Sequence, residues 1–420
     1  MAQPSQSEQA RLNSNRIGKN FSVELYVGDQ EITKYLYGVR IVNNILCAWP
    51  TISIRLGIDC NNIILNDIYG QTEMKLKITL NTEEGKPQET NVFHLLYLES
   101  NVGLIPKVRE SQNQYDLQTI EFSTIPIYAM NLMGMFINEI YEEEDGPKTG
   151  IQIIQDILTG YGFPNEIDNK GAVTTTINQT IIPPMSFNQM INFLELYNGI
   201  YQGPIFYNCS HTGKFRMWDM SQRIQKTSIF KIYQLSTGGS DPDDINKIFK
   251  ETTIGNAYYT REPVQTIYHS NANVLKYGYD FFQVMHTSSS LYDLKYKSAD
   301  DIVKNFGVVN EGKNFVYNNF LKNRRKYFYN ISGNHELVTC TASSNLARLS
   351  TLQITLNRNI RISKILNIGE PITFEPKTLE YMRYQGKYIL ESYDFQLSQT
   401  GADNWDSICQ LRMFRTIQQQ

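Results

Sequence analysis

Between Leu346 and Arg415 one pattern leaves the chain little freedom: apolar side chains return at every second position, with polar ones between. Leu352, Ile354 and Leu356 form one such run. The stretch from Ile365 to Phe374 enters a second strand through the turn Gly369-Glu370-Pro371. A third opens at Tyr384-Gln385-Gly386 and runs on through Tyr393, Phe395 and Leu397. After the polar turn Gly401-Ala402-Asp403-Asn404, the last run has Trp405, Cys409, Leu411 and Met413 on one side. Gln410 and Arg412 lie on the other. Side chains alternate across a strand with period two, whereas a helix repeats near 3.6. The segment therefore predicts antiparallel hairpins with one buried face, part of a closed or nearly closed barrel. None of its positions reads as catalytic.

The N-terminal third carries the same signal. Residues 1–18 have almost nothing to bury and predict a flexible arm. Strands are expected at Phe21–Val27, Val39–Leu46, Ile52–Ile58, Met74–Leu80, Val92–Leu98 and Tyr115–Phe122, with a turn over 81–90. Strands at this spacing with few helices between them indicate an antiparallel barrel or sandwich. The aromatic content, 12% with 27 Tyr and 20 Phe, favours the same β-rich class.

The middle changes period. Met130, Met133, Phe136, Ile137 and Ile140 suit one helix over Ile127–Tyr141, which ends in Glu142-Glu143-Glu144-Asp145-Gly146-Pro147. Thr149 can cap a second helix, with Ile151, Ile154, Ile157 and Leu158 on one face. Ser186 and Gln189 form a capping box for a third, striped by Met190, Ile191, Leu194 and Tyr197. A hairpin follows over Ile205–Cys209 and Lys214–Asp219. A short helix is expected over Ile245–Lys250, and strands at 258–259, 263–268 and 281–285. Another short helix is expected over 298–306, and one long or two short helices within 311–349.

No stretch reads as a site for chemistry. Zinc-protease, phosphate-loop, dinucleotide and nucleophile-elbow motifs are all missing from the sequence. His94, His211, His269, His286 and His335 are scattered, which favours structural roles over a metal. Glu142 to Asp145 lacks the spaced ligands of a calcium loop and reads as a solvated turn. Lys322, Arg324, Arg325 and Lys326 form the one dense basic cluster, a solvated helix face or a contact with an acidic partner or nucleic acid. Trp49, Trp218 and Trp405 sit in or beside strands and read as core or interface residues. A net charge of -3 predicts neither a nucleic-acid grip nor an acidic disordered tail. Cys47, Cys60, Cys209, Cys340 and Cys409 are odd in number and unspaced, and read as reduced core residues. The first 20 residues do not read as a signal peptide, and no later stretch reads as a membrane span. No catalytic, cofactor-binding or metal-binding residue is assigned, and no enzyme activity is expected.

Three stretches together are more specific. They are Ile151–Leu158 with Tyr161-Gly162-Phe163, the helix-then-hairpin unit Ser186–Tyr201 with Phe215–Asp219, and the Gly386–Leu390 hairpin with its closing strand to Arg415. Their order from about Phe21 to Arg415 resembles the central baseplate hub proteins of contractile-tailed phages, a fold shared with the hub part of type VI secretion spike proteins. The resemblance implies a mainly β hub fold: two tail-tube-like antiparallel barrels with helical or mixed peripheral segments. The first barrel would take 19–130 with 203–235, and the second 250–297 with 340–415. Residues 131–202 would be a helical or mixed insertion, 236–249 a linker with a short helix, 298–339 a peripheral helical segment and 416–420 a tail. Such hubs are homotrimers that join a six-fold tail tube to a three-fold spike. The implied partners are therefore the tube protein, a separate spike protein and other baseplate proteins, in a virion assembled in the host cytoplasm. DNA would pass through the channel without specific binding. Two other readings stay open: a tail-associated glycan hydrolase using carboxylates such as Glu195 or Asp219, and a receptor- or carbohydrate-binding tail-tip protein.

Overall fold

The computed structural model describes residues 21–268 (apart from 46, 60–62, 83–85, 104–116, 143–145, 175, 178, 198, 202–204, 224 and 237–243), the strand segments 282–287, 294–297 and 327–331, and residues 350–415 apart from 358–359 and 402–403. The first part holds β1 (Phe21–Val27), β2 (Gln30–Glu31), β3 (Leu36–Asn44), β4 (Thr51–Asp59), the short helix α1 (Ile63–Tyr69), β5 (Met74–Asn81), β6 (Pro87–Gly103) and β7 (Leu117–Pro126). The middle holds α2 (Ile127–Gly134), β8 (Phe136–Tyr141), α3 (Gly150–Gly160), β9 (Asn165–Ile167), β10 (Thr180–Ser186), α4 (Phe187–Tyr197), β11 (Ile205–Cys209), β12 (Phe215–Asp219) and α5 (Met220–Arg223). Next come β13 (Lys231–Gln234), α6 (Ile245–Ile254), β14 (Ala257–Thr260), β15 (Gln265–Tyr268), β16 (Phe282–Thr287), β17 (Leu294–Lys297) and β18 (Tyr327–Ile331). The chain ends with β19 (Ser350–Asn357), α7 (Ile362–Ile365), β20 (Pro371–Pro376), β21 (Gly386–Gly401) and β22 (Asn404–Arg415).

The protein is mostly β, and one sheet runs through both ends of the chain. Its order is β2-β1-β5-β6-β7-β4-β3-β21-β20-β13-β14, with β22, β19 and β15 branching from β21. β21 makes the branch possible. At about 3.3 Å per residue it spans roughly 50 Å, enough to serve two sets of strands. Along one edge it pairs with β22 from Ile389 to Gly401. Along the other it pairs with β20 through Gly386–Ile389 and then with β3 through Ser392–Ser398. The register slips between Leu390 and Ser392, where the strand changes neighbours.

Each set curls back towards itself. β1 comes against β22, and Phe21 of β1 meets Phe395 of β21 edge to face at 6.0 Å. β14 comes against β19, where Thr260 Oγ1 donates to the Thr355 carbonyl at 2.8 Å. Among the described residues, no backbone ladder closes either ring. β13 is parallel to both β14 and β20, whereas the strands from β1 to β7 pair antiparallel.

Period-two burial is what the strands deliver. In β1 Phe21, Val23, Leu25 and Val27 are buried with half-buried residues between, and in β22 Trp405, Cys409, Leu411 and Met413 face inward as expected. These residues belong to one continuous apolar core reaching from β1 to β22. A second core lies in the middle of the chain, where α3 and α4 pack on β11 and β12. Thr149 caps α3 through a reciprocal box with Gln152, at 3.3 and 2.8 Å. Ser186 and Gln189 form the matching box at α4.

Several expectations are corrected. The helix expected over Ile127–Tyr141 stops at Gly134, and Phe136–Tyr141 is a strand paired with β10. The apolar positions fitted a helical stripe, yet Met130, Met133, Phe136 and Ile140 are exposed and only Ile137 of β8 is fully buried. The turn expected over 81–90 is shorter, because Pro87 already opens β6 opposite Asn81. That position suits a residue without an N–H. Tyr327–Ile331 is a strand where helix was expected, in keeping with its aromatic run. Helix α1 was not anticipated. Cys47 is exposed, while Cys209 and Cys409 are buried as read. The helix expected at 298–306, the basic cluster Lys322–Lys326, His269, His335, Cys60, Cys340 and the terminal segments 1–18 and 416–420 lie outside the described residues.

Candidate functional site: a buried charged junction

β12 reads Phe215-Arg216-Met217-Trp218-Asp219, and all five residues are buried. It lies between β11 and a parallel β9, so both of its edges are paired. Phe215 and Met217 join the helical core. Arg216 and Trp218 turn to the opposite side, with Asn208 and Phe206 paired across from them on β11, and Phe206 and Trp218 belong to the large core. An arginine thus stands where the middle of the chain meets the sheet. Burying a guanidinium requires acceptors and a counter-charge.

Arg216 Nε donates to Asn208 Oδ1 at 3.2 Å and Nη1 to Asn367 Oδ1 at 3.0 Å, with Glu370 Oε1 at 3.7 Å. Glu370 lies in the turn before β20. It also takes both donors of Arg223, with Nε at 2.9 Å and Nη2 on Oε1. This fork geometry is the strong form of an arginine–carboxylate pair. The two guanidiniums flank Trp218, at 5.3 Å for Arg216 and 4.2 Å for Arg223 from the ring centroid. Phe206 packs on the same indole at 4.7 Å, and a Cβ on Gly369 (φ +78°) would sit 2.6 Å from the Phe206 ring. Only a glycine fits there without moving the aromatic wall.

A second pair closes the other side. Asp168 follows β9 and accepts from Lys226 Nζ at 2.7 Å, with Arg223 Nη1 at 3.8 Å. Burial pushes the Asp168 carboxyl up. The Lys226 hydrogen bond, the Lys170 amide and the charges of Lys226 and Arg223 together outweigh it and hold the group below the usual carboxylate range. Tyr201 donates its hydroxyl to the Asp168 carbonyl at 2.6 Å. Burial, and then the carboxylates Asp168, Asp219 and Glu195, push its pKa well above the ordinary phenol. Burial likewise pushes the Cys209 thiol up to about 12 and, with help from Arg216, pushes the His211 imidazole down.

This arrangement clamps; nothing in it activates a nucleophile. Its carboxylates face cations or amide hydrogens, and its thiol and phenols are held protonated at neutral pH. Glu195 is buried in α4, with Oε2 accepting from the Ile200 amide at 2.7 Å, so it ties off the end of its own helix. Asp219 is 1% exposed at the end of β12, against the tight turn at Gly171. Neither carboxylate is exposed to solvent. His94 pairs with Glu73 on the surface, His211 is in the β11–β12 turn and Glu142 is exposed. Trp405 is buried and Trp49 half-buried. Among the described residues no group of three metal-ligating side chains gathers. Arg216, Arg223 and Glu370 were missed in the sequence reading. The available signal was a charged residue alternating with aromatics on a strand, which normally marks a solvent-facing side.

A second surface lies on the β8–β10 ribbon. Ile140 and Ile181 are directly opposed, and they and Phe136 are each about 60% exposed. Tyr161, beside it, donates its hydroxyl to the Phe136 carbonyl at 3.0 Å.

No family model and no curated protein sequence matches the chain. Solved structures do. The tail protein from Neisseria meningitidis MC58 superposes with a TM-score of 0.54 at 11% identity, over 94% of this chain and 97% of that one. A chain of the Francisella PdpA-VgrG complex in its half-lidded form gives a TM-score of 0.50 at 8% identity, over 99% of this chain and 63% of that one. At these identities the likeness is one of fold, and the hub-like fold expected from the sequence is the one observed.

Proposed function

We propose that the protein is a structural component of a phage-type tail: the hub that joins a six-fold tail tube to a three-fold spike. Three copies would form a ring, each contributing two tube-like strand sets, so that threefold symmetry presents six similar units. The observation that carries this reading is β21, one strand that belongs to both sets and fixes them in a single body. Pairs of tube-like units must be rigidly coupled if a trimer is to imitate a hexamer. The buried junction fits the same role, because it locks the helical middle of the chain onto that body through charges paired with one another. In this reading the two sets stand for the barrels expected over 19–130 with 203–235 and over 250–297 with 340–415, except that β11 and β12 pair with β9 and β13 pairs with β14 and β20 of the second set.

Free passage of DNA calls for a wall without unpaired cations. On the exposed face of β3, β4, β7 and β21 the arginines are paired across strands, Arg40 with Asp394 at 2.7 Å and Arg55 with Glu121 at 2.9 Å. The apolar Phe136, Ile140 and Ile181 on the β8–β10 ribbon supply a surface for neighbouring baseplate proteins. Light scattering should return three times the 48.5 kDa chain mass, and an image down the axis should show six lobes around an open centre. A stable monomer, or hydrolysis of cell-wall glycan by the purified chain, would overturn the reading.

A further inference from the structure

The loop between α5 and β13 crosses the surface beside the charged junction and walls a cleft of about 440 Å3. Gln225, Ser228, Lys231, Asn256, Thr373 and Lys387 are among its lining residues. Two ammonium groups are pinned to this loop by its own carbonyls. Lys387 Nζ donates to the Lys226 carbonyl at 3.0 Å, and Lys364 Nζ to the Ile229 carbonyl at 3.3 Å. A carbonyl orients a cation without neutralising it. Among the described residues, Lys231, Lys364 and Lys387 have no carboxylate within ion-pair distance, and the Lys231 ammonium makes no hydrogen bond. The carboxylate that reaches the loop, Asp168, is already taken by Lys226 and Arg223. Ser228 Oγ and Thr373 Oγ1 share one hydrogen bond at 2.7 Å, which leaves one of their two hydroxyl hydrogens to give.

We propose that this cleft takes an acidic segment of a partner protein. A Asp or Glu carboxylate of that segment sits between Lys231 and Lys387 and accepts from the Ser228–Thr373 pair. The volume falls within the range of small-ligand clefts. The shape favours a peptide over nucleic acid. A duplex carries one negative charge per ~1.7 Å of axis and needs a stripe of cations to follow it. Here the cations gather around one loop, and Glu375, on the same face of β20 as Thr373, bounds them. The inference rests on the adaptor reading for the existence of a partner, while its chemistry comes from the cleft itself.

The test uses the full chain and an acetylated hexaglutamate peptide, labelled at its C-terminus and followed by fluorescence anisotropy. The expected result is binding that weakens as salt is added, falls at least fivefold in Lys231→Ala and disappears in Lys231→Glu. Lys231→Ala removes no hydrogen bond or ion pair from the fold, so its effect reads the cleft alone. Hexaglutamine and a dT dodecamer should not compete. Absence of peptide binding, equal binding by Lys231→Ala, or equally tight binding of the dT dodecamer would each overturn the inference. Light scattering on the same samples separates the two proposals: a trimer that ignores the peptide sinks only the cleft, and a monomer sinks the adaptor.

Discussion

Replacing Glu370 by Gln should be among the most damaging single-atom changes available in this protein. The carboxylate is buried and serves two guanidiniums, with Arg223 Nε at 2.9 Å and Arg216 Nη1 at 3.7 Å. At an effective dielectric of about 20, charges at such separations attract by roughly 4–6 kcal/mol each. Most of that attraction offsets the desolvation of three ions, so the intact cluster contributes little net stability. The balance changes once the negative charge goes. Arg216 then stays buried beside Trp218 with no counter-charge, Arg223 keeps only Asp168 at 3.8 Å, and most of the desolvation cost is left uncompensated. Breaking a buried pair this way costs about 3–5 kcal/mol, with Gln towards the lower end because its amide oxygen still accepts one hydrogen bond. Urea unfolding at pH 7, followed by tryptophan fluorescence, would report the loss as a lower midpoint. Added salt should not restore it, because a buried cluster is poorly screened. The control is the triple variant Glu370→Met, Arg216→Met, Arg223→Met, which removes all three charges and should recover most of the loss. If Glu370→Gln unfolds within about 1 kcal/mol of the parent, the junction is solvated and the clamp argument fails.

Other expectations follow from the same geometry. His211 is half-buried, and burial with the Arg216 charge depresses its folded pKa, so the unfolded chain binds more protons as pH falls. Its contribution is therefore complete above the unfolded value near 6.5 and is lost as pH drops through the folded pKa. His211→Phe should flatten the stability profile between about pH 7 and pH 5, and an unchanged slope would remove His211 as its source. Asp168 has a depressed folded pKa, so its contribution is present above about 3.9 and disappears in stronger acid; Lys226→Met should move the acid unfolding limb to higher pH. Thr149→Ala should cost about 1 kcal/mol through the lost cap on α3, measurable in the same urea titration. Gly369→Ala combines a left-handed backbone with a clash against Phe206, and should cost about 1–3 kcal/mol and quench or shift Trp218 emission.

The local pattern of this chain was open to reading because it depends on neighbours in sequence. Period-two alternation located β1, β4, β5, β19 and β22, since any sheet with one dry face imposes it. The capping boxes at Thr149 and Ser186 located α3 and α4, because a cap is formed within four residues of its helix. The reading failed where burial depends on what lies opposite. Met130, Met133, Phe136 and Ile140 matched a helical stripe, and only the pairing of β8 with β10 decided that Phe136–Tyr141 is a strand with an exposed apolar face. Arg216 alternates with Phe215 and Met217, the sequence pattern of a solvent-facing strand side. It became part of a clamp because Asn367 and Glu370, some 150 residues away in sequence, arrive over it. β21 was visible as a strand, but its service to both β20 and β3 was not, since pairing along an edge is a contact between distant segments. Sequence alone set which residues turn inward. The tertiary structure decided which inward faces meet, because a side chain's free energy depends on the partner that replaces water, and the chain names that partner only once it is folded.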